Sequence, residues 1–214
     1  MMSTAIRILL VDDHAVVRAG FKTLLENQSD LKVVDEADDG EGACRAFIDH
    51  EPDIVIMDLS LPGIGGIEAI RRIVARNSEA RILVFSMHED ILFVEQALQA
   101  GARGYVGKSS APETLVEAVR QIANGNVYIE PEIAQVIAFN KTKGTGTPFE
   151  ILSTREFEIF CLLAEGHSGA DVAKRLALST KTVANYSTQI KNKLEVTTSA
   201  ELARVAIRHG IVTP

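Results

Sequence analysis

Cysteine is scarce in this chain. Cys44 and Cys161 are the only two in 214 residues, and each falls on the apolar stripe of a helical pattern. Two reduced core thiols therefore fit the pattern better than a disulfide framework or a thiolate metal site. No apolar run approaches the roughly 20 residues that a membrane-spanning helix needs. No charged, then apolar, then small-residue leader opens the sequence either, so a cytosolic protein with no membrane partner is expected. Internal repeats and low-complexity tracts are missing. No G-x-G-x-x-G follows the first apolar run, which argues against a dinucleotide site.

What is present is the composition of a folded protein, with 46% hydrophobic and 24% charged residues. The length exceeds a typical single domain and suits a medium α/β domain followed by a small one. The net charge of −7 would be odd for a nucleic-acid binder, but it is unevenly spread. Residues 1–140 carry 12 Lys/Arg against 22 Asp/Glu, whereas 141–214 carry 10 against 7. Such asymmetry is the cue for a basic binding module attached to an acidic partner domain.

From Ile6 to about Gly125, short apolar runs alternate five times with amphipathic helical patterns. Ile8–Val11, Leu31–Val34, Ile54–Met57, Ile82–Phe85 and Tyr105–Val106 read as strands, most of them apolar enough to be buried on both faces. Between them, patterns such as Val17, Phe21, Leu24 and Leu25 opposite Arg18, Lys22 and Glu26 read as helices. The expectation is a doubly wound (βα)5 parallel-sheet domain over residues 1–130, with ligands beyond the carboxyl ends of its strands. Phe139–Pro148 loses periodicity and gathers Gly, Thr, Lys and Pro, so residues 131–149 are assigned to a linker.

After the linker the strand signals stop. Ser153 with Glu156, and Thr198 with Glu201, have capping-box spacing at the starts of a first and a last helix. Between them lie a short helix with Val172, Ala173 and Leu176, a turn around Ala177-Leu178, and a helix over 180–193. Residues 150–214 thus read as a small all-α four-helix domain.

Three strand ends carry the chemistry: Asp12 and Asp13 after the first strand, Asp58 after the third, and Lys108 after the fifth; Ser86 closes the fourth. Clustered carboxylates repel, and a hard cation with oxygen ligands is the usual compensation, Mg²⁺ fitting best where phosphate is also present. A lone Asp often ends a strand as a turn former. That reading accounts for neither Lys108 nor the shared sheet edge.

The motifs V-D-D-H at 11–14, M-D-L-S-L-P-G at 57–63, F-S-M-H at 85–88 and G-Y-V-G-K-S at 104–109 resemble the receiver domain of two-component systems. The resemblance implies Asp58 as phosphoryl acceptor, and Mg²⁺ held by Asp13, Asp12, Asp58 and the carbonyl of Ser60. It also implies Ser86 and Lys108 on the phosphoryl oxygens and Tyr105 as the switch aromatic, with Ser60 and His88 at the positions that tune hydrolysis. An aspartate-nucleophile phosphatase is the rival enzymatic reading. That chemistry needs an acid two residues after the nucleophile, where Ser60 stands, so a regulator rather than an enzyme is expected.

In the second domain, Val183, Ile190 and Leu194 form an apolar face opposite Lys181, Asn185, Thr188, Gln189 and Asn192. L-S-T-R-E-x-E-I followed by L-S-x-x-T-V-x-x-Y-x-x-x-I-x-x-K-L resembles the LuxR-type output domain of NarL/FixJ-type regulators. This implies a helix-turn-helix in which Lys181, Thr182, Ala184, Asn185, Thr188, Gln189, Lys191 and Lys193 face double-stranded DNA. It further implies a sensor histidine kinase, a homodimer and RNA polymerase as partners. The chain departs from the family at Ala184, where a basic residue is common, at Tyr186, where His is common, and at Gly169-Ala170, where Asn then Lys is common. These departures imply either a different site preference or weaker affinity.

Overall fold

The computed structural model describes residues 5–88, 91–142, 148–149, 151–176, 178–209 and 211–212, with backbone alone for 139–142 and 154. The chain forms two compact units, Met1–Phe139 and Asn140–Pro214. In the first, β1 (Ile6–Val11), β2 (Leu31–Ala37), β3 (Ile54–Met57), β4 (Ile82–Ser86) and β5 (Gly104–Gly107) alternate with α1 (Ala15–Glu26), α2 (Gly40–His50), α3 (Gly65–Arg76), α4 (Ile91–Ala100) and α5 (Pro112–Ala123). A short sixth strand, β6 (Tyr128–Ile129), follows, and the all-parallel sheet has the order β2-β1-β3-β4-β5-β6.

Continuous apolar strands and covered sheet faces are two views of one fact. Ile8, Leu10, Ile54, Ile56, Leu83, Phe85 and Val106 join Leu25 of α1 and Leu115, Val119 and Ile122 of α5 in one buried cluster. The Phe21 ring meets that of Phe85 edge to face at 4.6 Å. The alternate residues Leu9, Val11, Val55 and Met57 are buried as well. Each such side chain contributes about 1.5–3 kcal/mol by leaving water, and the strands have no polar face to spare.

Two features lay beyond the sequence patterns. β6 is too short for a periodicity signal. The stretch assigned to a linker, 131–149, is helical at its start: α6 runs over Pro131–Thr142. Pro131 suits a first helical position and Glu132 a first turn. The Gly-Thr cluster at 143–147 lies outside the described residues.

In the second unit, α7 (Thr154–Ala164) packs against α8 (Gly169–Arg175), α9 (Thr180–Lys193) and α10 (Ser199–Arg208). Both expected capping boxes are formed, and Ser168 with Asp171 makes a third at the start of α8. Gly166, at φ +91°, ends α7 in the left-handed conformation that glycine adopts without steric cost. Phe149, Phe157 and Phe160 are buried together, with ring centroids 4.9–6.0 Å apart. The expected turn at Ala177 lies outside the described residues, although Leu178 is seen to donate its N–H to Ala173.

Two predictions follow from packing. A Cβ on Gly66 would meet the carbonyl oxygen of Asp58 at 2.0 Å and the Leu59 Cα at 2.7 Å, because the start of α3 lies against the chain just after β3. Gly66→Ala should cost the first unit about 2–3 kcal/mol in urea unfolding, whereas Gly20→Ala, with nothing within 4 Å, should gain about 0.5–1 kcal/mol. Equal effects would contradict the packing at Gly66.

Glu158 on α7 supplies the second. Burial pushes its carboxyl up to about 7, against the pull of Arg155 and Arg175. The Arg155 guanidinium lies 2.6 Å away, and 18% of the Glu158 side chain still meets water, so only part of that shift reaches stability. A carboxyl whose folded-state pKa is raised binds more protons folded than unfolded, so stability falls as pH rises from about 4.5 to about 7. Glu158→Gln should flatten this slope and stabilise the second unit at pH 8 by about 1–2 kcal/mol. An unchanged slope in thermal melts from pH 5 to 8 would contradict it.

Candidate functional site

Three of the expected residues of the first site are placed by a hydrogen bond at the end of a strand. The Asp12 N–H donates to Ala37 O at 3.1 Å, that of Asp58 to Val11 O at 3.0 Å, and that of Lys108 to Ser86 O at 2.8 Å. The carboxyl ends of β1, β3 and β5 thereby bring two acids and one amine to a common edge. Lys108 Nζ stands 2.6 Å from Asp12 Oδ2 and 2.7 Å from Asp58 Oδ2. Burial pulls the Lys108 ammonium down, but Asp58 and Asp12 outweigh it and hold the group above its ordinary pKa. The amine is thus charged and committed to the cluster.

Asp58 is only 2% exposed. Its Oδ1 accepts N–H bonds from Leu59 at 2.7 Å and Ser60 at 3.3 Å, while Oδ2 takes Lys108, so both oxygens have fixed directions. Asp12 Oδ1 accepts the His14 N–H at 2.8 Å. Asp13 is the open member, with 31% of its side chain exposed, and its Oδ1 lies 2.7 Å from His14 Nδ1. Among the described residues, ligand atoms of Asp12, Asp13, His14 and Asp58 lie within 4.8 Å of one another. Three carboxylates that close form an oxygen donor set suited to a hard divalent cation. His14 of the V-D-D-H motif joins this cluster although the resemblance implies no role for it; its spacing from Asp12 and Asp13 is the signal in the sequence.

The flanking residues make a second network. Ser86 is fully buried, and its Oγ accepts the His88 N–H at 3.3 Å. His88 Nε2 lies 3.0 Å from Ser60 Oγ, and its ring stacks on Phe93 at 4.2 Å. Tyr105 is fully buried, and its hydroxyl donates to the His88 carbonyl. Ser60 and His88, the two positions expected to tune hydrolysis, therefore touch each other, and the aromatic is held inside by the same loop.

In the second unit, α9 buries Val183 and Ile190 and exposes Lys181, Ala184, Asn185, Thr188, Gln189 and Asn192 at helical spacing. Ser179 caps the helix by accepting the Thr182 N–H, and the Thr182 hydroxyl lies 2.7 Å from Ser179 Oγ. The Thr188 hydroxyl donates to Ala184 O. These hydroxyls are partly committed to the helix itself, whereas Asn185 and Gln189 are exposed.

Lys191 is half-buried. Lys193 is placed differently from the expectation of a free phosphate contact. Its Nζ lies 2.6 Å from Glu156 Oε2, the same oxygen that closes the α7 capping box by accepting the Ser153 N–H. Burial raises the Glu156 carboxyl, but Lys193 and Ser153 outweigh it and hold the group below its ordinary range. In this structure Lys193 fastens α9 to α7. Its apolar stem and α7 partner were invisible in the helical spacing, since the pairing exists only once the two helices pack.

No helix among the described residues is long and apolar enough to cross a membrane. Residues 8–120 match the response regulator receiver domain, and residues 150–206 match the luxR family of bacterial regulatory proteins. The response regulator UvrY of Escherichia coli K12 is 39% identical over 208 residues, covering 96% of this chain and 95% of UvrY. A LuxR-family two-component response regulator from an Aurantimonas species, of known structure, is 49% identical with a TM-score of 0.63, covering 65% of this chain and 99% of that one. RcsB of Salmonella enterica serovar Typhimurium, solved bound to a promoter in the presence of the phosphomimetic BeF3−, is 26% identical with a TM-score of 0.68, covering 94% of this chain and 98% of that one. A carboxylate cluster with its lysine at the sheet edge, a luxR-type helix-turn-helix after it in sequence, and relatives matched over nearly their whole length place the chain among the DNA-binding response regulators of two-component systems, of the NarL/FixJ type.

Proposed function

We propose that Asp58 accepts a phosphoryl group from a sensor histidine kinase, and that its phosphorylation controls DNA binding through α9. The observation that carries the reading is Asp58 itself: a buried carboxylate with one oxygen fixed by two N–H donors and the other by an ammonium. Such preorganisation aims a nucleophile and holds a charged donor beside the place where charge develops on the incoming phosphoryl oxygens.

Asp12, Asp13 and Asp58, with the Ser60 carbonyl, would hold Mg²⁺. The cation would neutralise charge on the phosphoryl group as it transfers. Asp58 attacks in line as the P–N bond of the kinase's phosphohistidine breaks and its imidazole leaves, and Lys108 and Ser86, both at the same edge, take up the phosphoryl oxygens. Lys108 must exchange part of its contact with Asp12 and Asp58 for the new group, which brings more charge and stronger acceptors than a carboxylate. His88, on the loop after Ser86, and Tyr105 of β5, whose hydroxyl donates to the His88 carbonyl, respond to that exchange.

For DNA, α9 enters the major groove, with two copies of the chain on a site of dyad symmetry. Asn185 is the leading direct reader, because a carboxamide donates and accepts together and so matches adenine N6 and N7. Lys181 and Lys191 supply phosphate affinity. Lys193, while paired with Glu156, contributes less to that affinity than its sequence position suggests.

Asp58→Ala should abolish base-labile labelling from acetyl phosphate with Mg²⁺ present, and Asp13→Ala should weaken Mg²⁺ binding measured by titration. Wild-type labelling of the Asp58 variant would overturn the acceptor assignment. For the second unit, Asn185→Ala should lose roughly 1–3 kcal/mol on the preferred site and little on random DNA, whereas Lys191→Ala should weaken both alike and flatten the salt dependence. If neither substitution changes binding in gel-shift titrations, α9 is not the reader.

A further inference from the structure

The turn that carries Lys108 is held from one side by a residue that the acceptor chemistry does not use. β6 ends at Ile129, and the next residue, Glu130, donates its N–H to Tyr105 O at 3.1 Å, as a continuing parallel strand would. In such a ladder the following carbonyl would accept the N–H two residues further along β5, that of Gly107. Here the chain turns instead into α6, and the Glu130 carbonyl accepts the first helical bond, from Ala134 at 2.9 Å. The Glu130 carboxylate takes the place of the missing carbonyl. Its Oε2 accepts the Gly107 N–H at 3.0 Å, and both carboxylate oxygens lie within 2.6–2.7 Å of Ser110 Oγ.

A residue at this position before a helix commonly caps that helix with its own short side chain. Glu130 spends its side chain on the preceding turn and leaves the helix its main chain alone. Gly107 and Ser110 bracket Lys108, so one side chain grips both ends of the turn that presents the ammonium. Main chain and side chain of Glu130 thus connect that turn to the first turn of α6, within the first unit.

We propose that Glu130 is a positioning residue for Lys108 and ties its turn to α6, so that a shift of Lys108 onto a phosphoryl group displaces the start of α6. The proposal rests on Asp58 being the acceptor. It gives α6, the segment that leads toward the second unit in sequence, a mechanical connection to the site that does not run through the Tyr105 side chain.

The full-length chain tests it with two readouts. The first is the rate of labelling from acetyl phosphate at saturating donor, and the second is the Ala134 amide signal in nitrogen-15 correlation spectra before and after adding BeF3− and Mg²⁺. Wild type should show a shifted Ala134 signal. Glu130→Ala should label about tenfold more slowly at saturation, well inside what a misplacement of about 1 Å can cost, and its Ala134 signal should stay put. Glu130→Gln, which keeps an oxygen acceptor for Gly107, should restore most of both. Should Glu130→Ala fail to fold, Ser110→Ala removes one partner only and should move both readouts in the same direction by less.

A wild-type labelling rate in Glu130→Ala, or an Ala134 signal that still moves there, overturns the proposal. Asp58→Ala separates this from the reading beneath it. If BeF3− shifts the spectrum of that variant as it does wild type, the acceptor assignment has failed; if only the Glu130 arms behave as wild type, the connection has.

Discussion

The Lys108 ammonium between Asp12 and Asp58 is the interaction on which the first unit turns. Carboxylates gathered at one end of a parallel sheet repel one another, and a buried lysine alone would tend to give up its proton. Together the charges offset each other, and the lysine stays protonated because its two partners outweigh its burial. The same arrangement is poised for exchange. A phosphoryl group on Asp58 would bring more charge than the carboxylate it modifies, so the lysine has a better partner to move toward.

The surrounding structure makes that exchange consequential, because few groups at this edge are independent. Ser86 touches His88, His88 touches Ser60 and stacks on Phe93, and the Tyr105 hydroxyl is held by the His88 carbonyl. On the other side, Glu130 holds Gly107 and Ser110. A packed site with two arrangements of similar energy passes on a local charge change as a shift of whole segments rather than as a diffuse deformation.

The second unit solves a different problem, that of making four short helices stable enough to present one of them. Three capping boxes satisfy helix N-termini, and three phenylalanines fill the centre. The Lys193–Glu156 pair adds a fastening between α9 and α7. A lysine drawn from α9 into such a pair leaves the exposed face of that helix less basic, as Ala184 does.

The sequence by itself determined the five apolar strands, the helices between them, the strand-end acids and their lysine, and the small helical domain with two of its three capping boxes. These are carried by periodicity and by local spacing, and both survive folding unchanged. Asp58 and Lys108 were legible because residues closing parallel strands share one edge whatever the details of packing. Only the tertiary structure decided that Lys193 would turn to Glu156, that Ser60 would meet His88, that Tyr105 would be buried, and that residues after 130 would form α6. It also decided the part of Glu130, whose carboxylate reaches a turn 20 or more residues earlier in the chain. Each depends on which groups become neighbours when separate elements pack, and a side chain's partner across such a junction leaves no period in the sequence.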